Sequence, residues 1–169
     1  MKLTRSRILV IAAVLSAAVA AAAWLVAGAR EPAPAASYTL LDGSKSSTAA
    51  QRGKVLLVNF WATSCVSCVA EMPQIASAHQ KFKARGYDTV AVAMDYDRPA
   101  AVAHFAQSRA LPFGVAFDKS GEVARAFGDV KLTPTTFLID KQGRIVKRYV
   151  GAPDFAALER LIGELLAES

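Results

Sequence analysis

Cys65 and Cys68 are the two cysteines of this 169-residue chain, placed as Cys65-Val66-Ser67-Cys68. Two intervening residues let the second thiol reach back over one helical turn and close a disulfide. The chemistry this permits is thiol–disulfide exchange, with Cys65 attacking and Cys68 resolving the mixed disulfide. Stabilising the fold is a poor explanation for the pair, because a crosslink gains most when it closes a long loop. A structural zinc site is also a poor fit. It needs two more ligands, and His79 and His104 are not the short-spaced histidine pair usual for such sites. Neither histidine has the spacing to assist Cys65, and neither is assigned a role.

The elements around the pair give it meaning. Lys54 to Trp61 carries Val55, Leu56, Leu57, Val58 and Phe60, a continuous apolar run that suits a strand covered on both faces. A helix is expected from near Cys65 to about Arg85, with Ala70, Ile75, Ala78 and Phe82 as its apolar stripe and a kink at Pro73. Cys65 thus falls between a buried strand and a helix start. Unsatisfied N–H groups and the helix dipole favour a thiolate there, the form that reacts.

Tyr38 to Leu41 reads as a strand entering a turn at Asp42-Gly43. Tyr87–Met94 and Phe113–Phe117 read as strands, and Pro99–Arg109 and Gly121–Phe127 as helices. Thr135–Ile139 and Ile145–Val150 form a hairpin through Asp140-Lys141-Gln142-Gly143, and Asp154 caps a last helix reaching about Ala167. Alternating strands and helices predict an α/β layer with a central mixed sheet.

Ahead of this domain lie a basic segment (1–7), an uncharged apolar run (8–29) and a Pro/Ala spacer (30–37), which leaves 38–169 as the folded domain. The run exceeds a signal-peptide apolar region of roughly 7–15 residues, so a transmembrane signal-anchor is expected. Ala27-Gly28-Ala29 leaves a cleaved signal peptide as the alternative. Lys2, Arg5 and Arg7 on the near side predict a cytoplasmic amino terminus and an exported domain, facing the periplasm or cell exterior. They also supply half of the net charge of +6. The rest is spread out, so a nucleic-acid partner is not expected.

Two stretches carry a resemblance. Phe60-Trp61-Ala62-Thr63-Ser64-Cys65-Val66-Ser67-Cys68-Val69-Ala70-Glu71-Met72-Pro73 resembles the active-site segment of TlpA/ResA-type thioredoxin-like proteins. Leu132-Thr133-Pro134-Thr135-Thr136-Phe137-Leu138-Ile139-Asp140 resembles their cis-proline segment. The resemblance spans nearly the whole domain. It implies a thioredoxin fold with an N-terminal hairpin and an extra central helix and strand (Pro99 to Phe117).

It also implies roles. Pro134 would be the cis-proline facing the disulfide, with the Thr133 backbone pairing to an extended substrate segment. Glu71 would be a buried carboxylate exchanging protons with Cys68. Thioredoxins carry a buried Asp where this chain has Asn59, and an amide cannot titrate. Trp61 is either a substrate-side wall of the site or a plain core aromatic. Ser64 replaces the usual aromatic residue and Ser67 a frequent proline, which makes the site more open and offers hydroxyls near the sulfurs.

The resemblance implies a reductase of protein disulfides, acting on apocytochrome c or on copper-site cysteines. No cofactor beyond the Cys65–Cys68 disulfide is expected. Electrons would come from a membrane thiol carrier of the DsbD/CcdA type. The alternative is a disulfide-forming oxidant of the same fold. A Sco-like copper chaperone fits less well. Its cysteines are one residue further apart, and no histidine lies near Pro134.

Overall fold

Seven consecutive buried residues form the strand at the centre of the sheet, Val55–Trp61. Such a run can exist only where both faces are covered. In the computed structural model, which describes residues 30–168, both are. The elements in order are β1 (Glu31–Pro32), β2 (Ser37–Thr39), β3 (Lys45–Ser47), β4 (Val55–Trp61), α1 (Val66–Phe82), β5 (Tyr87–Ala93), α2 (Pro99–Ser108), β6 (Gly114–Phe117), α3 (Glu122–Ala126), β7 (Thr135–Ile139), β8 (Arg144–Val150) and α4 (Phe155–Ala167).

The main sheet has the order β1-β8-β7-β4-β5-β6. Strands β4, β5 and β6 run parallel, while β7, β8 and β1 each pair antiparallel with their neighbours. This is the expected mixed sheet. Side chains of successive strand residues point to opposite faces, and the two cores follow that alternation. Val55, Leu57 and Trp61 pack with Met72, Ile75 and Phe82 of α1, Val102 of α2 and Leu158, Ile162 and Leu165 of α4. Leu56, Val58 and Phe60 pack on the other face with Val123, Ala124 and Phe127 around α3, and with Ala36 and Tyr38. There Phe60 meets Phe127 and Phe137 edge-on, at 5.4 and 6.0 Å between ring centroids.

The segment 30–37, expected to be a spacer, differs. Glu31 pairs with Ile145 and Pro32 with Arg144, and Ala33 N–H donates to Gly143 O at 2.9 Å. Proline is tolerated because the pair lies at the sheet edge, where its missing N–H breaks no ladder bond. The sheet therefore begins at Glu31 rather than near Tyr38. The basic segment and the expected anchor (1–29) lie outside the described residues.

Helix α1 continues through Pro73 without interruption. Asp154 caps α4, accepting from Ala157 N–H at 3.1 Å. Replacing Asp154 with Ala should cost about 1 kcal/mol of stability, read by urea unfolding. A cost within error of zero would show that solvent satisfies this helix end equally well.

Candidate active site

The chain leaves β4 at Trp61, crosses Ala62-Thr63-Ser64 and enters α1 with Cys65 as the helix cap. The cap is made by sulfur: Cys68 N–H donates to Cys65 Sγ at 3.2 Å. Cys65 and Cys68 form a disulfide with 5.2 Å between Cα atoms. Cys65 is half-buried, whereas Cys68 is completely enclosed. That asymmetry makes Cys65 the sulfur an incoming disulfide can reach. Cys68 can be reached only from Cys65. Ser67 adds a hydroxyl 3.5 Å from Cys65 Sγ, and the neighbouring Val66 is 85% exposed.

Glu71 lies one turn beyond Cys68 and is 2% exposed. Its Oε1 accepts from Asn59 Nδ2 at 2.9 Å, and the same amide donates its other proton to Thr136 Oγ1 at 2.9 Å. Glu71 Oε2 is buried without a hydrogen-bond partner. Burial penalises the carboxylate, and the single bond from Asn59 offsets this only in part. The pKa is pushed up to about 7. Thus a group able to hold or release a proton near neutrality stands on the Cys68 side of the helix. Asn59 does not titrate, but it orients the group that does. Thr136, its second partner, was not picked out by sequence.

The Thr133–Pro134 peptide bond is cis, as the resemblance implies. Pairing of Phe60 with Thr135 puts Pro134 at the end of the sheet where β4 gives way to the cysteine loop. Pro134 is buried and Thr133 half-buried. Gly151 N–H donates to Pro134 O at 2.8 Å, and Thr135 Oγ1 donates to Leu132 O at 2.7 Å, so the turn is held from both sides.

Trp61 needs correction as a substrate contact. It has no exposed surface, lies in the core cluster with Cys68 and Met72, and packs on Phe105 with ring centroids 5.1 Å apart. Its strand residue points into the helix-covered face, so it backs the site from inside. His79 is buried against Tyr87 and Phe113, which pushes its pKa down. It stands eleven residues along α1 from Cys68, roughly 16 Å at the helical rise, too far to share a metal with the sulfurs. His104 is exposed on α2. A cavity of about 930 Å³ between the β2–β3 hairpin and residues 116–123 includes none of the redox residues.

A half-buried sulfur at a helix start, an enclosed partner and a cis-proline turn at the same sheet end are the parts of a thiol–disulfide exchange site. The redoxin family profile matches residues 28–162. A thiol-disulfide oxidoreductase ResA of Bacillus thuringiensis subsp. konkukian is 35% identical over 133 residues, covering 79% of this chain and 76% of that relative. The chain belongs to the redoxin family, among the ResA-type thiol–disulfide oxidoreductases. A redoxin of this type is an enzyme, and the thioredoxin-like fold of the chain agrees. A thiol:disulfide interchange protein of Chlorobium tepidum superposes with a TM-score of 0.75 at 28% identity, covering 83% of this chain and 99% of that one. A chain from Neisseria meningitidis, described by its solvers as a thioredoxin candidate, superposes at 0.76 with 39% identity, over 83% and 93% of the two chains.

Proposed function

We propose that this redoxin reduces protein disulfides outside the cytoplasm, held to the membrane by residues 8–29. The observation that carries the reading is the asymmetry at the start of α1: Cys65 is half-buried at the cap, Cys68 is enclosed, and Glu71, one turn further on, is buried with its pKa raised to about 7.

The exchange balances as follows. The Cys65 thiolate attacks one sulfur of the substrate disulfide. A mixed disulfide forms, and the other substrate sulfur leaves as a thiolate that takes a proton from water. Glu71 then accepts the Cys68 proton. The Cys68 thiolate attacks Cys65 Sγ, forming the Cys65–Cys68 disulfide and expelling the second substrate thiolate. Two electrons pass to the substrate. The Thr133 backbone beside Pro134 pairs with the extended substrate segment during the attack. No cofactor enters these steps. A membrane thiol carrier of the DsbD/CcdA type would restore the dithiol. Apocytochrome c cysteines or copper-site cysteines are the substrates proposed.

One contact favours the opposite direction. Ser67 Oγ lies 3.5 Å from Cys65 Sγ, and a hydroxyl donating to a thiolate stabilises the reduced form and makes the pair more oxidising. Equilibrating the full-length chain with thiol buffers decides between them. A potential of about −270 mV or lower is expected for a reductase, whereas one near −120 mV makes the chain a disulfide-forming oxidant.

A further inference from the structure

The segment after β5 crosses the mouth of the site and touches both of its halves. Strand β4 lies between β5 and β7 in the sheet. The loop that follows β5 can therefore reach the cis-proline turn before β7 only by passing over the exit of β4, where the chain runs toward Cys65. It does so as a tight turn. Met94 N–H donates to Trp61 O at 3.0 Å, and Asp97 N–H donates to Met94 O at 3.0 Å.

From this turn two side chains reach in opposite directions. Asp97 takes hold of the cysteine loop. Its Oδ2 accepts from Thr63 N–H at 2.5 Å and its Oδ1 from Thr63 Oγ1 at 2.7 Å. Thr63 is two residues before Cys65. Asp97 is itself fixed, since Oδ1 also accepts from Arg98 N–H at 2.7 Å. Tyr96 takes hold of the other half: its hydroxyl shares a hydrogen bond with Thr133 Oγ1 at 3.3 Å. Thr133 is the residue before the cis-proline. Tyr96 is 57% exposed, so it contributes little to the core. A large aromatic side chain at the surface, bonded to a residue of the site, calls for a reason other than burial.

We propose that Tyr96 and Asp97 are positioning residues. They form a two-anchor strap that sets the opening between the Cys65 loop and the Thr133–Pro134 turn. The inference rests on the exchange reading above, in which Cys65 attacks a disulfide whose extended segment is paired at Thr133. A substrate held at one edge and attacked at the other reacts only when the two edges are correctly spaced, and small misplacements are costly. The strap matters for a disulfide carried by a peptide segment. A small disulfide that meets only Cys65 does not sample the spacing.

The strap is tested by the ratio of two kcat/KM values. One is for a disulfide-bonded peptide long enough to pair at Thr133. The other is for hydroxyethyl disulfide. Dithiothreitol serves as reductant and the full-length chain as enzyme. Tyr96→Phe removes one hydroxyl from an exposed residue and keeps the ring. It should lower the ratio roughly three- to tenfold, chiefly through kcat for the peptide. Asp97→Ala should do the same. Because the anchors act in series, the double variant should fall little further than either single one. Thermal unfolding of each variant separates the effect from lost structure, and Tyr96→Phe remains informative if Asp97→Ala unfolds. A ratio unchanged in Tyr96→Phe, or equal losses on both disulfides, overturns the strap. A wild-type chain that reduces neither disulfide overturns the exchange reading and the strap with it. Wild-type turnover of both with an insensitive ratio overturns the strap alone.

Discussion

Replacing Cys68 with Ala should trap the enzyme on its substrate. Cys65 is half-buried at the helix start and still able to attack, whereas the sulfur that releases the product is the enclosed one. The variant is expected to accumulate a mixed disulfide through Cys65, visible as a thiol-sensitive adduct on a non-reducing gel. Turnover should fall by roughly three orders of magnitude or more. Cys65→Ala should lose turnover to the same degree but form no adduct, because no attacking sulfur remains at the surface. The contrast between the variants is the diagnostic result. An adduct in Cys65→Ala and none in Cys68→Ala would reverse the two roles. Neither change should unfold the domain. The crosslink spans only three positions, so its chain-entropy contribution is about 2 kcal/mol.

The second large effect is expected from Glu71→Gln, read against pH. Glutamine keeps the shape and still accepts from Asn59, but it neither gains nor loses a proton. Two changes should follow. The resolution of the mixed disulfide should lose its dependence on a group titrating near 7, and slow by about 10² at the wild-type optimum. Stability should change in a fixed direction as well. The folded pKa of Glu71, about 7, lies above its ordinary value of 4.5. The native state therefore holds this proton more tightly than the unfolded chain. Its contribution is fully present below about pH 4.5 and is lost as pH rises through 7, a change of about 3 kcal/mol. Denaturant unfolding across pH 4–8 should show that slope in the wild type and not in the variant. His79 contributes with the opposite sign. Burial lowers its pKa below 6.5, so its stabilisation is present above pH 6.5 and lost as pH falls below it. Subtracting the Glu71→Gln curve from the wild-type curve removes the His79 part and isolates the carboxyl. Identical curves and rates would falsify the proton-holding role.

Much of this site was legible from local signals. The cysteine spacing, the apolar run of β4 and the helical stripe of α1 are periodic features that survive in one dimension, and the observed helix begins where they place it. Asp154 as a cap and the turn before β8 depend on side chains bonding their own neighbourhood, and both appear as expected. The TlpA/ResA resemblance supplied what local signals do not, namely the cis bond at Pro134 and the burial of Glu71. Trp61 shows where inference stopped. The residue types left it open between a wall of the site and a core aromatic, and strand alternation decides for the helix-covered core. Glu31–Pro32 read as spacer because proline and alanine carry no strand signal, and only β8 gives that short segment a partner.

The sequence by itself determined the chemistry and its address on the chain: two thiols one turn apart at a helix start, following a buried strand. These are short-range properties, set by residue type and spacing over a dozen positions. The tertiary structure alone decided what surrounds them. Asn59 meets Glu71 and Thr136, and Tyr96 and Asp97 meet Thr133 and Thr63, across separations of 12 to 77 residues. Nothing in residue type announces such pairings. They arise because β4 sits between β5 and β7, which brings three distant loops to one end of the sheet.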